Sequence, residues 1–221
     1  NRYDAFKEMH FPSSSESYEK ERYQLAYEEL FIMQSGLALL RNKEQCHVGP
    51  KMEPDGVLME QCKENLPFQL TGDQERAISE ISQDLQDERP MQRLLQGDVG
   101  SGKTIVALMT MLLAVDNGFQ ACLMAPTEIL ATQHYQSISA LLQNTGISVA
   151  LLTGSSKTKE RRILDEQLQE GSLSILIGTH ALLEDKVQFD NLGLAIIDEQ
   201  HRFGVEQRAK LWRKNILPPH I

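Results

Sequence analysis

Three glycines in the stretch GDVGSGKT, at 97–104, stand directly ahead of a lysine and a threonine. The residues that follow, TIVALMTMLLAV, are apolar on every side, and a helix of that kind has to be covered all round. Glycines allow a loop to curl so that several backbone N–H groups point at one anion, and the positive end of the next helix adds to the attraction. The stretch therefore predicts a phosphate-binding loop that opens a buried helix.

This loop fits the P-loop pattern G-x-x-x-x-G-K-[ST]. In that pattern Lys103 reaches the β- and γ-phosphates of a nucleotide, and the hydroxyl of Thr104 binds Mg²⁺. An ordinary flexible turn is the alternative, but the strand and helix patterns on either side of the loop argue against it. The predicted nucleotide-binding residues are Gly97, Asp98, Val99, Gly100, Ser101, Gly102, Lys103 and Thr104.

Short apolar runs alternate with helical patterns from Leu66 onward. The runs are MQRLLQG, ACLMAP, SVALLTG, LSILIGT and LGLAIID, and helical patterns follow Gly72, Gly102, Thr127, Ser156 and Gly204. Strands that are apolar on both faces and alternate with helices indicate a parallel sheet covered on both sides. We expect an α/β fold, with an N-terminal helical segment at 1–65 and a nucleotide-binding domain at 66–221.

The composition limits the partners and the compartment. A net charge of −9 and a pI near 5.2 argue against a protein that grips nucleic acid through overall basicity, but they allow local phosphate contacts through backbone amides. The sequence shows neither a membrane-spanning run nor a signal peptide, and Cys46, Cys62 and Cys122 follow no CxxC pattern. We expect a cytoplasmic protein without membrane partners. Because it starts at Asn1, we expect a fragment or a processed form.

A second motif, LGLAIIDEQH at 192–201, is an apolar strand that ends in two acids. By itself this pattern is weak evidence, since acids often end strands because they are solvated. Together with the P-loop it predicts that Asp198 holds the metal through its water shell, while Glu199 orients and deprotonates the attacking water. Glu199, Asp198 and Lys103 are thus the predicted catalytic residues.

GDVGSGKT together with DEQHRFGVEQR resembles the motors of helicase superfamily 2, and most closely those of the RecG family of ATP-dependent DNA helicases. LPFQLTGDQERAISEI, APTEILATQHY, LLTGSSK and IGTHALL resemble further segments of that family, so the resemblance covers roughly 66–215. The sequence is similar, less closely, to the transcription-repair coupling translocases. A bulky residue in place of Ser101 and a glutamate in place of Gln200 would be expected there, so these two positions favour the RecG family.

The resemblance implies the first RecA-like motor domain of a helicase that uses ATP and Mg²⁺ and acts on branched or forked DNA, in fork remodelling, recombination and repair. A nucleoid-associated location goes with that role. The preceding helix resembles the segment that joins the family's wedge domain to its motor. The wedge domain and the second RecA-like domain are expected outside these 221 residues, so the isolated chain should bind nucleotide but hydrolyse it poorly.

The resemblance also implies roles for single residues. Gln74 would read the adenine edge, although a surface glutamine of a helix is the plain alternative. Gln200 and His201 would couple the nucleotide site to the DNA-facing motifs. Thr127 and Glu128 equally suit the start of a helix. The loops expected to hold the DNA backbone contribute Pro126, Thr127, Gly154, Ser155, Thr179 and His180. A basic cluster follows at Lys157, Lys159, Arg161 and Arg162, where a solvated helix face is the commoner explanation.

Two other functions compete with a DNA motor. A catalytically silent module could hold nucleotide or a partner protein without turnover. A P-loop kinase for small molecules would need an arginine-bearing lid and an acceptor pocket, and it would leave DEQH and APTE unexplained.

Overall fold

The computed structural model divides into two compact units, Asn1–Cys46 and His47–Ile221. The described residues are 2–44, 48–54, 56–143, 145–212, 214–215 and 217–221. Cys46 lies outside them, whereas Cys62 and Cys122 are buried free thiols. Across the described ranges, no helix combines the length and the apolar character that crossing a membrane requires.

The first unit is a pair of helices, α1 (Arg2–His10) and α2 (Ser15–Glu44), which pack against each other. The carboxylate of Glu8 joins them, because it accepts hydrogen bonds from the backbone N–H of Ser13 and from the hydroxyls of Ser13 and Ser17, each at 2.9 Å. The long helix α2 lies within the N-terminal helical segment expected at 1–65. The short helix α1 was not predicted.

The second unit is built on four parallel strands in the order β2-β3-β1-β4. Their residues alternate between two apolar layers: Ala121 and Leu123 belong to one buried cluster, whereas Cys122 and Met124 belong to the other. This two-sided burial explains why the strands were recognisable as continuous apolar runs. The strands are β1 (Gln120–Met124), β2 (Val149–Leu152), β3 (Ile175–Gly178) and β4 (Leu192–Ile197).

Helices cover the sheet, and the one that follows the P-loop is almost entirely enclosed. Its burial agrees with the prediction from an all-apolar helix. The helices are α3 (Val57–Glu64), α4 (Gly72–Leu85), α5 (Lys103–Asp116), α6 (Glu128–Leu141), α7 (Thr158–Gln169) and α8 (Val205–Trp212), with 3₁₀ turns at His180–Leu183 and Gln200–Arg202. The predicted α/β class is confirmed.

One predicted strand is not formed. The run MQRLLQG has no regular secondary structure, and the backbone–backbone hydrogen bonds between it and other described segments are those to Ile221, which donates to Met91 O at 2.8 Å and accepts from Arg93 N–H at 2.9 Å. Two hydrogen bonds to a single residue do not make a ladder, and Leu94 is 65% exposed. The predicted burial is absent as well, because Met91 and Leu95 are only partly buried and the other residues of the run are exposed.

The second unit begins earlier than the predicted boundary at 65/66. Met52, Met59 and Cys62 are buried in its core. The carboxylate of Asp116, at the end of α5, accepts from the backbone N–H groups of Leu58 and Met59 and so caps α3. Residues 48–65 therefore pack as part of the second unit, whereas they were predicted to belong to the N-terminal helical segment.

His220 joins three segments of this unit. It is fully buried; its Nδ1 accepts from Met91 N–H at 2.9 Å, and its Nε2 donates to the carbonyl of Pro50. Its own backbone bonds to Gly193 and Ala195 of β4. This pattern needs the neutral imidazole with its proton on Nε2, because a proton on Nδ1 would displace the Met91 bond.

We expect acid to destabilise the second unit through His220. Burial lowers the pKa of His220 below its usual 6.5, although the Pro50 carbonyl and the charges of Asp84 and Asp87 act in the opposite direction. The unfolded chain therefore takes up a proton as the pH falls below about 6.5, while the folded chain resists it, so stability present above that pH is lost as the pH falls through the lowered pKa.

Thermal unfolding between pH 8 and pH 5 tests this expectation. The variant His220→Gln should be less stable at pH 8 and should show a flatter pH dependence, whereas His10→Gln, at an exposed histidine, should keep the wild-type profile. The same slope in wild type and His220→Gln would contradict the assignment.

Candidate nucleotide site and DNA-facing loops

The P-loop has the backbone geometry that its glycines were expected to provide. Gly100 and Gly102 have φ values of 80° and 78°, in the left-handed region, and Gly102 is the N-cap of α5. The loop between them and Gly97 is exposed, and Val99 is fully exposed. The N-terminus of a 14-residue buried helix thus opens onto an accessible, curled loop, which is the arrangement that binds phosphate.

Lys103 folds back into this loop. Its ammonium group donates to the carbonyls of Gly97 and Asp98, both at 2.8 Å. The positive charge is thereby held at the centre of the loop, within reach of any anion that the backbone N–H groups attract. Thr104, the next residue, is partly buried at the first turn of the same helix.

Gln74 lies against the P-loop, where its side chain bonds both to the loop and to the start of α4. Its Nε2 donates to Ser101 O at 2.9 Å, while its Oε1 accepts from Thr71 N–H in a capping box that starts α4. A Cβ atom on Gly102 would collide with the Gln74 amide. Gly102 is therefore favoured by its positive φ, and a larger residue there would also have to displace the end of the Gln74 side chain. The capping role was missed, although Thr71-x-x-Gln74 carries the sequence signal for it.

Asp198 follows β4, and its backbone N–H donates to Met124 O at 2.9 Å. Its Oδ2 lies 2.9 Å from Nε2 of His134, a residue on α6 for which no function was predicted. The His134 hydrogen bond is the main reason why the pKa of Asp198 lies below the usual 3.8, and the charge of Lys103 lowers it further, against the effect of burial. Asp198 is therefore a carboxylate at neutral pH.

Glu199 is the one described non-glycine residue with a positive φ, at 50°. The left-handed backbone costs a residue with a side chain about 1–2 kcal/mol, and such outliers cluster at functional sites. The side chain is exposed, with Oε2 3.3 Å from Nδ1 of His201. Gln200 and His201 are both exposed and lie in the 3₁₀ turn that follows. The structure thus places His201 beside the predicted base.

Two of the predicted DNA-facing loops are bonded to each other. Thr127 caps α6 by accepting from Leu130 N–H at 3.3 Å, as a helix-start residue should. Glu128 accepts from the backbone N–H of Ser155 at 3.1 Å and from its hydroxyl at 2.9 Å. Pro126 is partly buried, while Thr127, Gly154 and Ser155 are exposed. These exposed groups form one surface at the carboxyl ends of β1 and β2.

The third loop differs in exposure. Thr179 is 1% exposed, and its buried hydroxyl has no hydrogen-bond partner among the described residues, whereas His180 is exposed.

In the basic cluster, Arg161 donates to Thr153 O at 2.7 Å and pairs with Glu184 at 3.0 Å. Arg161 therefore braces the loop that carries Gly154, and its guanidinium is already bonded within the protein.

Comparisons with known proteins relate this chain to helicases. A family model described as DEAD/DEAH box helicase matches residues 71–218. The ATP-dependent DNA helicases RecG of Synechocystis sp. and Aquifex aeolicus are each 47% identical over 97% of this chain, which covers 26% and 28% of their lengths. A structure of RecG bound to a three-way DNA junction matches with a TM-score of 0.82 and 46% identity over 91% of this chain and 28% of that chain.

The chain thus spans roughly a quarter of the length of the curated relatives that it matches. The predicted resemblance to RecG is confirmed over nearly all of its residues. The matched region contains the P-loop, the DEQH segment and every predicted site residue between them. The chain belongs to the DEAD/DEAH box helicase family.

Proposed function

We propose that the chain binds Mg-ATP at the P-loop and supplies the ATP-hydrolysing face of a DNA motor that acts on branched DNA. One observation carries the proposal: the ammonium group of Lys103 is held inside the exposed P-loop by the carbonyls of Gly97 and Asp98, at the N-terminus of α5. Asp198, the acid proposed for the metal, follows β4, and the charge of Lys103 contributes to its lowered pKa. This is the division of charge that nucleoside triphosphatases use.

The donor groups fit Mg²⁺. The hydroxyl of Thr104 and the carboxylate of Asp198, the latter acting through the water shell of the metal, offer the hard oxygens that Mg²⁺ prefers. Within the described ranges, no group of three or more His, Cys, Asp or Glu side chains could hold a metal ion. Phosphate oxygens of the nucleotide would provide further ligands. Bound there, Mg²⁺ would neutralise charge that develops on the phosphates.

The chain's own residues would perform the other steps. Lys103 would exchange its bonds to the carbonyls of Gly97 and Asp98 for bonds to phosphate oxygens. Glu199 would orient the attacking water and accept its proton. His201, whose Nδ1 lies 3.3 Å from that carboxylate, would transmit the change in the charge of Glu199 to the surrounding loop. Gln74 stays the proposed adenine reader, and its bond to Ser101 would then link adenine recognition to the P-loop.

DNA would bind along the exposed loops that contain Thr127, Gly154, Ser155 and His180, through backbone amides and hydroxyls, and Ser155 would exchange its bonds to Glu128 for bonds to phosphate. Such contacts suit a chain whose net charge is −9. The RecG structure with a three-way junction supports a branched substrate. In the whole protein a second RecA-like domain and a wedge domain would complete the motor, and its work on DNA would place it at the nucleoid.

The isolated 221-residue chain provides a test. We expect it to bind ATP but to hydrolyse it near background, with or without forked DNA, because an arginine finger from a facing domain contributes about 10³–10⁵ in rate. Forked DNA should bind weakly, because few phosphates are contacted. Its affinity should fall as the salt concentration increases, because the contacts that do form are with phosphates.

Steady-state turnover and the anisotropy of labelled forked DNA measure both properties. Robust DNA-stimulated turnover would show that these residues complete the site without a second domain. A failure to bind forked DNA at low salt would contradict the DNA-facing surface.

A further inference from the structure

His134 contacts Asp198, the predicted metal-binding acid, but has no predicted role of its own in the nucleotide site. It projects from α6, and its Nε2 lies 2.9 Å from Oδ2 of Asp198. The two side chains are 16% and 30% exposed, so solvent screens this bond less than it screens a surface pair. A charge-assisted hydrogen bond of this length is among the stronger kinds in proteins.

The contact fixes a part of Asp198 that the sheet does not. The backbone of Asp198 is held by its bond to Met124 O at 2.9 Å, which places the residue at the end of β4. The backbone bond leaves the side-chain torsions open. Two groups direct the carboxylate: the backbone N–H of Glu199, from the adjoining residue, and the side chain of His134, whose bond to Oδ2 is the one made from another element. Groups that hold metal-binding side chains in this way typically change metal affinity about 10–100-fold when they are removed.

Helix α6 is a firm support for His134. Ala131 and Ile138, on either side of His134, are fully buried in the core. The N-terminus of the helix is capped by Thr127, and Glu128 in its first turn binds the neighbouring loop through Ser155. Side chains on an anchored helix hold their partners more accurately than side chains on a free loop.

We propose that His134 is a positioning residue that orients the carboxylate of Asp198 toward the nucleotide-bound Mg²⁺. This inference rests on the proposed function, since it assumes that Asp198 serves the metal. Its signature is specific: removing His134 weakens the contribution of Mg²⁺ to nucleotide binding, while metal-free nucleotide binding through the P-loop is unchanged.

Calorimetric titration of ADP into the 221-residue chain, over a series of Mg²⁺ concentrations, measures that signature. For His134→Ala we expect the Mg²⁺ concentration that gives half of the metal-dependent gain in affinity to rise about 10–100-fold. His134→Gln, which keeps an N–H donor at a similar reach, should stay close to wild type. Gln136→Ala, at an exposed position on the same helix, is the matched control.

Each outcome has one meaning. An unchanged Mg²⁺ requirement in a folded His134→Ala chain would overturn the proposal, and so would a His134→Gln chain as impaired as the alanine variant. A loss of metal-free ADP affinity in His134→Ala would also overturn it, because it would indicate general damage to the site. If wild type itself gained no affinity from Mg²⁺, the proposed function would fail first.

Discussion

Replacing Lys103 by alanine is expected to abolish tight binding of ATP and ADP. The ammonium group, now 2.8 Å from the carbonyls of Gly97 and Asp98, is the cation placed inside the phosphate-binding loop. Charge-assisted hydrogen bonds contribute about 1.5–3 kcal/mol each, so the affinity should fall about tenfold or more. Calorimetry of the two chains under identical Mg²⁺ concentrations measures the change.

Lys159→Ala is the matched control for that substitution. Lys159 is an exposed lysine on α7, and its loss changes the net charge by the same amount. We expect its nucleotide affinity to equal that of wild type. Equal affinity in wild type and Lys103→Ala, with both chains folded by thermal melting, would disprove the assignment of the P-loop.

The two carboxylates of the DEQH segment are expected to fail in different ways. Glu199→Gln should bind Mg-ATP normally and hydrolyse it about 10²–10⁴-fold more slowly, because it removes the general base and keeps the metal ligand. Asp198→Asn should instead weaken the Mg²⁺-dependent part of nucleotide binding, since it removes the charge that His134 and Lys103 stabilise.

The turnover of the two variants should be compared in a polypeptide that also contains a second RecA-like domain. Their nucleotide binding should be compared in the 221-residue chain. His201→Gln provides a useful reference, because it removes the neighbour of Glu199 while leaving both carboxylates in place. The same defect in Glu199→Gln and Asp198→Asn, in binding and in turnover alike, would show that the proposed division of roles is wrong.

The sheet and its helices were predictable because buried strands and helices produce recognisable patterns of apolar residues in the sequence. Strands covered on both sides appear as continuous apolar runs, and four of the five runs are strands of the described sheet. The fifth run, MQRLLQG, failed because it is interrupted by Gln92, Arg93 and Gln96, and none of its residues is fully buried. Residues 48–65 were assigned to the N-terminal segment because the burial of Met52 and Met59 and the cap from Asp116 depend on contacts with distant parts of the chain.

The P-loop and the DEQH segment were predictable because phosphate and metal chemistry demand particular residues at fixed spacing. His134 was not, since a single histidine in a helix carries no pattern, and its role depends on a carboxylate 64 positions away. The burial of Thr179 was equally hidden, because the motif that contains it resembles an exposed loop. The left-handed backbone of Glu199 is visible only in three dimensions.

The central claim is that residues 97–104 and Asp198 together form one Mg-nucleotide site. Titrating ATP into the unmodified 221-residue chain, with Mg²⁺ and then with the metal chelated, tests it most directly. We predict one nucleotide bound per chain, with clearly higher affinity when Mg²⁺ is present. Binding that does not respond to Mg²⁺, or no binding under either condition, would contradict it.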